Sequence, residues 1–321
     1  KWYDLIVAHT ELLARLITLE MGKPLQEARG EVRYAASFVE WYAEEAKRIY
    51  GETVPASFRN KRIAVLKQPV GVVAAITPWN FPAAMLTRKL APAFAAGCTA
   101  IVKPSELTPF TAVKLVQLAE EAGFPPGTIN LVMGDAPAIG ASFMENEKVR
   151  KISFTGSTRI GKLLMEQGAK HIKKLSLELG GHAPMLVMDD ADIDKAVQQI
   201  IASKFRNAGQ ACICGNRVYV QRTIYDRFIT KFVEETEKLK VGDGFDEQSD
   251  IGPLINKAAL DKVEKQVKDA LQKGAKLLTG GESITDGGGY FYKPTTLGDA
   301  RENMQCMIEE TFGPVAPVQV F

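Results

Sequence analysis

The sequence predicts an α/β protein with two domains, and three observations support this fold class. The 321 residues, 46% hydrophobic and 24% charged, are enough to bury two cores. Short apolar runs typical of buried strands alternate with longer segments of helical periodicity. The alternation starts again after residue 181. We therefore expect a doubly wound parallel sheet in the first half and a second α/β domain in the remainder.

The first half contains helices followed by strands and helices in alternation. Leucines at helical spacing from Leu5 to Leu19 predict a helix that Gly22 and Pro24 end, and a second helix runs to about Tyr50. The segments that follow are, in order, the strands RIAVLKQP and GVVAAI, the helix AMLTRKLAPAFAAG, the strand TAIVK, the helix PFTAVKLVQLAEEAG, the strand INLVM, a helix, the strand KISFTGS and a helix to Gly168.

The second half repeats this organisation after LSLELGG. Its segments are the strand APMLVM, a helix near Ile193 to Phe205, the strand RVYVQ, and amphipathic helices around Tyr225 to Lys240 and Ala258 to Lys273. The segment DGGGYF predicts an exposed turn, because no helical pattern follows it.

Composition excludes several classes of partner. Lys and Arg total 40 against 38 acidic residues, so no charge excess favours nucleic acid or an anionic membrane. The uncharged run from Gln68 to Thr87 is as long as a membrane span, but its prolines and Asn80 favour a buried strand and turn. We expect no signal peptide, since charged residues interrupt the apolar residues after Lys1.

Four cysteines match neither a disulfide framework nor a paired zinc pattern, so we expect no metal and a reducing compartment, the cytoplasm. Two of them lie in NAGQACICGN, one residue apart. Cys212 follows a Gly-Gln-Ala turn signal in a polar stretch, where a thiol can be exposed and activated. Alternatively, it is a small buried hydrophobic residue.

Two further residues have side chains suited to catalysis. Glu178 ends the apolar run before Gly180 and Gly181, where apolar neighbours would raise its pKa toward neutrality and suit it as a general base. The alternative is a surface glutamate. Asn80, between prolines after GVVAAI, can donate to an oxyanion or simply occupy a turn.

Other motifs are suited to a nucleotide at the carboxyl ends of strands. Gly156 and Ser157 follow a strand and open a helix, where amides can bind a pyrophosphate or Ser157 can act as an N-cap. Lys103 and Glu106 follow the strand TAIVK as cofactor ligands or solvated charges. In EETFGP, Glu310 and Phe312 indicate only a turn.

Six motifs, TPWNFP, KPSE, FTGS, LELGG, GQAC and EETFGP, occur in this order. Together they resemble the aldehyde dehydrogenase superfamily over essentially the whole chain. MLTRKLAPAFAAGCTAIVKPSE and SKFRNAGQACICGNRVYVQ are most similar to its members that oxidise succinate semialdehyde. The resemblance implies a Rossmann-type cofactor domain over residues 1–50 and 69–178, an oligomerisation hairpin over 51–68, and an α/β catalytic domain over 179–321.

The resemblance also implies roles for the three catalytic candidates. Cys212 would attack the aldehyde carbon, and the Asn80 amide and the Cys212 N–H would hold the resulting oxyanion. Hydride transfer to the cofactor would leave a thioester. Glu178 would activate the water that hydrolyses this thioester to a carboxylic acid.

The cofactor implied by the resemblance is NAD or NADP. The family's cofactor positions correspond here to Trp79, Asn80, Lys103, Ser105, Glu106, Gly156, Ser157, Leu179, Glu310 and Phe312. We expect NAD, because a carboxylate at Glu106 accepts from both ribose hydroxyls and repels a 2′-phosphate. Lys103 and Ser105 leave NADP open, since either can serve a phosphate.

The substrate and assembly follow from the same resemblance. Arg88 and Arg206 match positions that hold the distal carboxylate of a semialdehyde, a task suited to a guanidinium, although each can also be a surface ion pair. Other semialdehydes, such as glutarate semialdehyde, remain alternatives. We expect a homodimer or homotetramer. Lys1 and Phe321 fall inside the family's usual span, so a truncated and inactive fragment is another alternative.

The second cysteine of the doublet is a candidate redox residue. An extended backbone would place Cys214 and Cys212 on the same face, where a reversible disulfide would inactivate the nucleophile. Alternatively, Cys214 packs beneath the loop.

Overall fold

The computed structural model describes residues 1–284 and 288–321, which form two compact units. Their ranges are Lys1–Leu16 with Arg29–Leu179, and Ile17–Ala28 with Gly180–Phe321. The expected turn at DGGGYF lies partly outside the described residues, since its first two residues, 286 and 287, are among those not described.

The segment Ile17–Ala28, which the sequence analysis placed in the first domain, belongs to the second unit. Its turn packs there closely. Gly22 has a φ of +77°, and a Cβ on it would lie 2.2 Å from the ring of Pro253. The N–H of Leu25 donates to the carbonyl of Gly244 at 2.8 Å. This contact depends on a chain reversal at Gly22, which leucine periodicity does not report.

Helices and strands follow one another in the first half as expected. As far as residue 179 they are α1 (Trp2–Ala8), α2 (Thr10–Met21), α3 (Leu25–Glu45), β1 (Glu52–Val54), β2 (Ile63–Val65), β3 (Val72–Ile76), α4 (Pro82–Ala95), β4 (Thr99–Lys103), α5 (Pro109–Glu121), β5 (Ile129–Leu131), α6 (Ala136–Glu145), β6 (Val149–Thr155), α7 (Thr158–Ala169) and β7 (Lys174–Glu178). The first expected helix is interrupted at His9, where α1 ends.

The first unit contains a five-stranded parallel sheet in the order β5-β4-β3-β6-β7. The chain proceeds outward from β3 in one direction and returns to the other side through β6. The point between β3 and β6 is therefore a topological switch point, and ligands of open α/β sheets bind at the carboxyl ends of strands there. Strands β1 and β2 form a separate antiparallel ribbon with every residue exposed.

The second unit contains a mixed sheet. Its described elements after residue 179 are β8 (Ala183–Val187), α8 (Ile193–Lys204), β9 (Gly215–Val220), α9 (Tyr225–Glu237), α10 (Lys257–Gln272), β10 (Lys276–Thr279), β11 (Ser283–Ile284), β12 (Phe291–Tyr292), β13 (Thr295–Gly298), α11 (Gln305–Ile308) and β14 (Val315–Val320). The strand order is β10-β13-β14-β9-β8, with only β10 antiparallel to its neighbour.

Neither the last five strands nor α11 was predicted, because most of them are too short to show a period. The run from Gln68 to Thr87 folds into β3, a loop and the start of α4, as expected. Within the described residues, the helices are too short or too polar to cross a membrane.

Candidate active site

The loop after β3 carries Trp79 and Asn80 at the carboxyl edge of the first sheet. Asn80 is only 4% exposed. At one end of the loop, the N–H of Thr77 donates to the carbonyl of Lys103 at 3.1 Å. At the other end, buried Glu31 accepts the first N–H groups of α4, with its Oε1 2.9 Å from the nitrogen of Ala83. The position of Asn80 is thus fixed from two sides.

Lys103 and Glu106 form an ion pair at the carboxyl end of β4. Lys103 is buried and Glu106 is half exposed. Burial raises the pKa of the Glu106 carboxyl, but the hydrogen bond and charge of Lys103 outweigh it and leave this pKa below its usual range. Ser105 lies between them, and its hydroxyl accepts the N–H of Leu107 at 3.3 Å. The pair presents one donor and one acceptor at the sheet edge.

Gly156 and Ser157 connect β6 to α7. Ser157 is the N-cap of α7, and its hydroxyl accepts the N–H of Ile160 at 3.4 Å. The helix packs closely against Leu179, since a Cβ on Gly161 would lie 2.6 Å from that side chain. Because α7 follows β6 directly, its N-terminus lies at the carboxyl edge, where helix amides can bind a pyrophosphate.

Glu178 is the last residue of β7 and is exposed. Its carboxyl is not enclosed by apolar residues, in contrast to the expectation from the sequence. The reason is that β7 is the edge strand, and its alternate residues are exposed. The apolar residues of LSLEL are the half-buried ones on the other face.

Sequence reasoning did not identify Lys89, which lines a cavity of about 560 Å³ together with Glu178 and Arg88. Lys89 is 6% exposed, and its ammonium donates to the hydroxyl of Ser153 at 3.3 Å. Burial lowers the pKa of Lys89 to about 8, although the charge of Glu178 acts in the opposite direction. Lys89 can therefore hold or release a proton close to neutral pH. Its position inside a regular helix gave no signal in the sequence.

In the second unit, Cys212 follows a left-handed turn. Asn207, Ala208 and Gly209 have φ values of 53°, 55° and 74°. Left-handed backbone is unfavourable for alanine, so contacts around the turn must stabilise it. The carboxylate of Glu27 accepts the N–H of Asn207 at 2.9 Å.

Gln210 of the GQAC motif is 1% exposed and holds this turn. Its amide nitrogen donates to the carbonyls of Asn207 at 3.1 Å and Pro253 at 3.3 Å. Its amide oxygen accepts the N–H of Ile255 at 3.0 Å. These hydrogen bonds hold the turn that precedes Cys212 against the loop around Pro253 and Ile255.

Gly181 connects Cys212 to Glu310. A Cβ on Gly181 would lie 2.7 Å from the carbonyl oxygen of Cys212, so the two backbones are in close contact. The Gly181 N–H donates to Oε1 of Glu310 at 3.1 Å. Burial raises the pKa of Glu310, while this hydrogen bond and the charge of Lys262 act against the rise. Phe312, two residues further on, has a left-handed φ of 53°.

The two cysteines of the doublet have different environments. Cys212 is half-buried, whereas Cys214 is 1% exposed. The N–H of Cys214 donates to the carbonyl of Ala211 at 3.1 Å, so residues 211–214 form a turn. The prediction of an extended backbone here is therefore wrong, and with it the reason to expect both thiols on the same face. All four cysteines are described, and no disulfide joins them.

The two candidate substrate arginines lie in different units. Arg88 is half-buried, donates to the hydroxyl of Tyr34 at 2.5 Å, and lies 4.9 Å from the ring centroid of Phe38. Arg206 is exposed at the start of the left-handed turn. The aromatic contacts of Arg88 were not expected from the sequence.

The structure thus brings the first set of candidates to one sheet edge and the second set to one turn. The edge carries Trp79, Asn80, Lys103, Ser105, Glu106, Gly156, Ser157, Glu178 and Leu179. The turn and its surroundings carry Arg206, Cys212, Cys214, Glu310 and Phe312. The described residues thus combine a parallel sheet that has a topological switch point with a turn that ends at a half-buried thiol.

The chain belongs to the aldehyde dehydrogenase family, whose profile matches residues 1–321. It is 58% identical over 318 residues to a succinate-semialdehyde dehydrogenase, mitochondrial, of Arabidopsis thaliana, covering 99% of this chain and 60% of that protein. It is 54% identical over 318 residues to a glutarate-semialdehyde dehydrogenase of Pseudomonas putida, covering 99% and 66%.

The fold is also that of solved members. A structure described as an E. coli NADP dependent enzyme superimposes with a TM-score of 0.98 at 57% identity, covering all of this chain and 66% of that one. The chain therefore spans 60% to 66% of the length of these relatives.

Proposed function

We propose that this chain is part of an NAD(P)-dependent enzyme that oxidises succinate semialdehyde to succinate through a cysteine thioester. One observation carries the proposal. Cys212 is half-buried at the end of a turn that Gln210 fixes, whereas the other three cysteines are buried. An accessible thiol on a fixed backbone is what nucleophilic catalysis requires.

In the proposed reaction, the Cys212 thiolate attacks the aldehyde carbon, and its N–H and the amide of Asn80 donate to the oxyanion. When bound, the dinucleotide supplies the hydride acceptor. The aldehyde hydrogen leaves with both bonding electrons, and the carbon remains as a thioester on Cys212. Glu178 takes a proton from water, whose oxygen attacks the thioester and releases carboxylate and thiol. The exposure of Glu178 on β7 keeps this carboxyl in contact with water.

The carboxyl edge of the first sheet fits a nicotinamide dinucleotide. The Lys103–Glu106 pair offers a donor and an acceptor for ribose hydroxyls, and the N-terminus of α7 suits a pyrophosphate. In the second unit, we propose that the Glu310 carboxylate, which accepts the Gly181 N–H, also accepts from the other ribose. We favour NAD because of the Glu106 charge, whereas the E. coli structure is described as NADP dependent.

For substrate recognition, we propose that Arg88 and Arg206 bind the distal carboxylate. The contacts of Arg88 with Tyr34 and Phe38 restrict its rotamers, which lowers the entropy cost of binding. Glutarate semialdehyde is the second candidate, on the strength of the Pseudomonas putida relative. We further propose cofactor binding by residues 1–50 and 69–178, catalysis by 179–321, and dimer or tetramer assembly through 51–68 in the cytoplasm.

The decisive test is steady-state kinetics of the full-length protein with NAD and NADP and three aldehydes. Succinate semialdehyde should be preferred over glutarate semialdehyde, and both over uncharged butanal. Cys212→Ser should abolish reduced-cofactor formation, and Cys98→Ala, at a buried cysteine outside the site, should retain it. Equal rates for butanal and succinate semialdehyde, or turnover by Cys212→Ser, would refute the proposal.

The proposed binding of the distal carboxylate by Arg88 is tested separately. Arg88→Met should reduce kcat/KM for succinate semialdehyde by about tenfold or more while leaving the value for butanal nearly unchanged. An unchanged ratio of the two values would remove Arg88 from substrate binding.

A further inference from the structure

A completely buried lysine lies behind the cysteine turn. Lys204, the last residue of α8, is 0% exposed. Its ammonium donates to Oδ1 of Asn216 at 2.8 Å and lies 3.6 Å from the sulfur of Cys214. In return, the Cys214 thiol lies 3.4 Å from the carbonyl oxygen of Lys204. Within the described residues, no salt bridge joins Lys204 to a carboxylate. The negative end of the helix dipole favours a cation at this place.

Lys204 determines how the amide of Asn216 is oriented. A lysine ammonium can only donate, so the oxygen of Asn216 must face it and the nitrogen must point the other way. That nitrogen donates to the carbonyl of Gly181 at 3.3 Å. Asn216 is 1% exposed, so water cannot replace either hydrogen bond. A neutral apolar residue at position 204 would remove the reason for this orientation.

Gly181 lies between Asn216 and the backbone of Cys212. Its carbonyl is held by Asn216 and its N–H by Glu310, so both of its polar backbone groups are fixed. The α-carbon between them faces the carbonyl of Cys212, at the close distance noted above. A shift of Gly181 therefore requires a shift of the Cys212 backbone.

We propose that Lys204 and Asn216 are a positioning pair that sets the backbone of Cys212 through Gly181. Neither residue touches the reacting atoms. The expected effect of the pair on turnover rests on the proposed thiol chemistry, whereas its effect on the Cys212 backbone does not. A displacement of about 1 Å in a reacting group costs up to a hundredfold in rate, so the pair matters for turnover rather than for substrate binding.

Two variants test the Lys204–Asn216 and Asn216–Gly181 hydrogen bonds separately. Lys204→Met removes the ammonium at similar length. Asn216→Asp keeps an acceptor for Lys204 but has no N–H for the Gly181 carbonyl. Because the buried ammonium keeps its partner in this variant, Asn216→Asp still tests the proposal if Lys204→Met does not fold. Lys195→Met is the matched control, because Lys195 lies on the same helix with an exposed side chain.

The experiment measures kcat and KM together with amide hydrogen exchange of the full-length protein. In both pair variants, kcat should fall about tenfold or more with KM within about twofold, and exchange should increase in residues 207–214. Lys195→Met should match the wild type. Unchanged exchange in both variants, or faster exchange with unchanged kcat, would overturn the inference. If the wild type oxidises no semialdehyde, the proposed function fails while the exchange measurement still decides whether the pair positions Cys212.

Discussion

The side-chain oxygen of Gln210 accepts the main-chain N–H of Ile255 at 3.0 Å, across 45 residues of sequence. This contact gives the Gln of GQAC a physical role. It ties the cysteine turn to a separate loop of the second unit, so the turn does not depend on its own local propensity.

Replacing Gln210 with Met should lower the free energy of unfolding by about 1–3 kcal/mol, because it removes the side-chain partner of the half-buried Ile255 N–H and of the Pro253 carbonyl, while the Asn207 carbonyl keeps only the main-chain N–H of residue 210. Urea denaturation measures the change. Gln167→Met, at an exposed site on α7, should stay within about 0.5 kcal/mol of the wild type. Equal stability of the two variants would show that the Gln210 contacts contribute nothing.

Adding a methyl group to Gly181 should reduce kcat strongly, since the new Cβ would lie 2.7 Å from the carbonyl oxygen of Cys212. We expect about a hundredfold loss for Gly181→Ala in steady-state kinetics. Gly30→Ala is the matched substitution, because nothing lies within 4 Å of its Cβ position in α3. That variant should be active and more stable by up to about 1 kcal/mol. Full activity of Gly181→Ala would contradict the close contact.

Iodoacetamide should label Cys212 of the folded protein much faster than the other cysteines. The exposed fractions of Cys98, Cys214 and Cys306 are 6%, 1% and 0%. Burial also raises the pKa of Cys306 to about 11, which further lowers its thiolate fraction. Peptide mass spectrometry with and without denaturant measures the four rates. Comparable labelling of Cys214 and Cys212 before unfolding would revive the redox role of Cys214.

The buried Lys89 should make stability depend on alkaline pH. Its pKa falls from 10.5 to about 8 through burial, so the unfolded state binds more protons between these values. Stability therefore rises with pH across this window, and protonated Lys89 costs up to about 3 kcal/mol at pH 7.

Lys89→Met should accordingly be more stable than the wild type at pH 7, and the difference should shrink toward pH 10. Urea unfolding at several pH values tests this. Lys162→Met, at an exposed lysine of α7, should run parallel to the wild type throughout. A constant difference for Lys89→Met would mean that Lys89 does not titrate in this range.

Glu106→Gln should shift cofactor preference toward NADP. Removing the carboxylate removes repulsion of a 2′-phosphate and releases the Lys103 ammonium from its ion pair. The ratio of kcat/KM for NADP to that for NAD should rise about fivefold to tenfold, since an exposed charge contributes roughly 1 kcal/mol. Glu121→Gln, at an exposed site at the end of α5, should leave the ratio unchanged. A falling ratio would show that Glu106 does not face the ribose.

Much of the site could be predicted because residues at the carboxyl ends of parallel strands share one edge. This places Asn80, Lys103 and Gly156 from strand positions alone. Lys89 and Lys204 were not predictable, because a buried lysine in a helix has the same sequence pattern as an exposed one. Nor does an alanine signal a left-handed turn, since its propensity opposes that backbone, and only long-range contacts such as those of Gln210 reveal it.

The strand orders of the two sheets also determine when each sheet can form during synthesis of the chain. The first sheet uses only residues 72–178, so it can close once Glu178 has left the ribosome. In the second sheet, β14 lies between β13 and β9 although it is made last among the described strands. Strand β9 ends at Val220, 100 residues before Val320, and at roughly 5–20 residues per second these residues take about 5–20 s to synthesise. For that interval, the edge of β9 that pairs with β14 stays uncovered, which makes the nascent chain a natural client for chaperones.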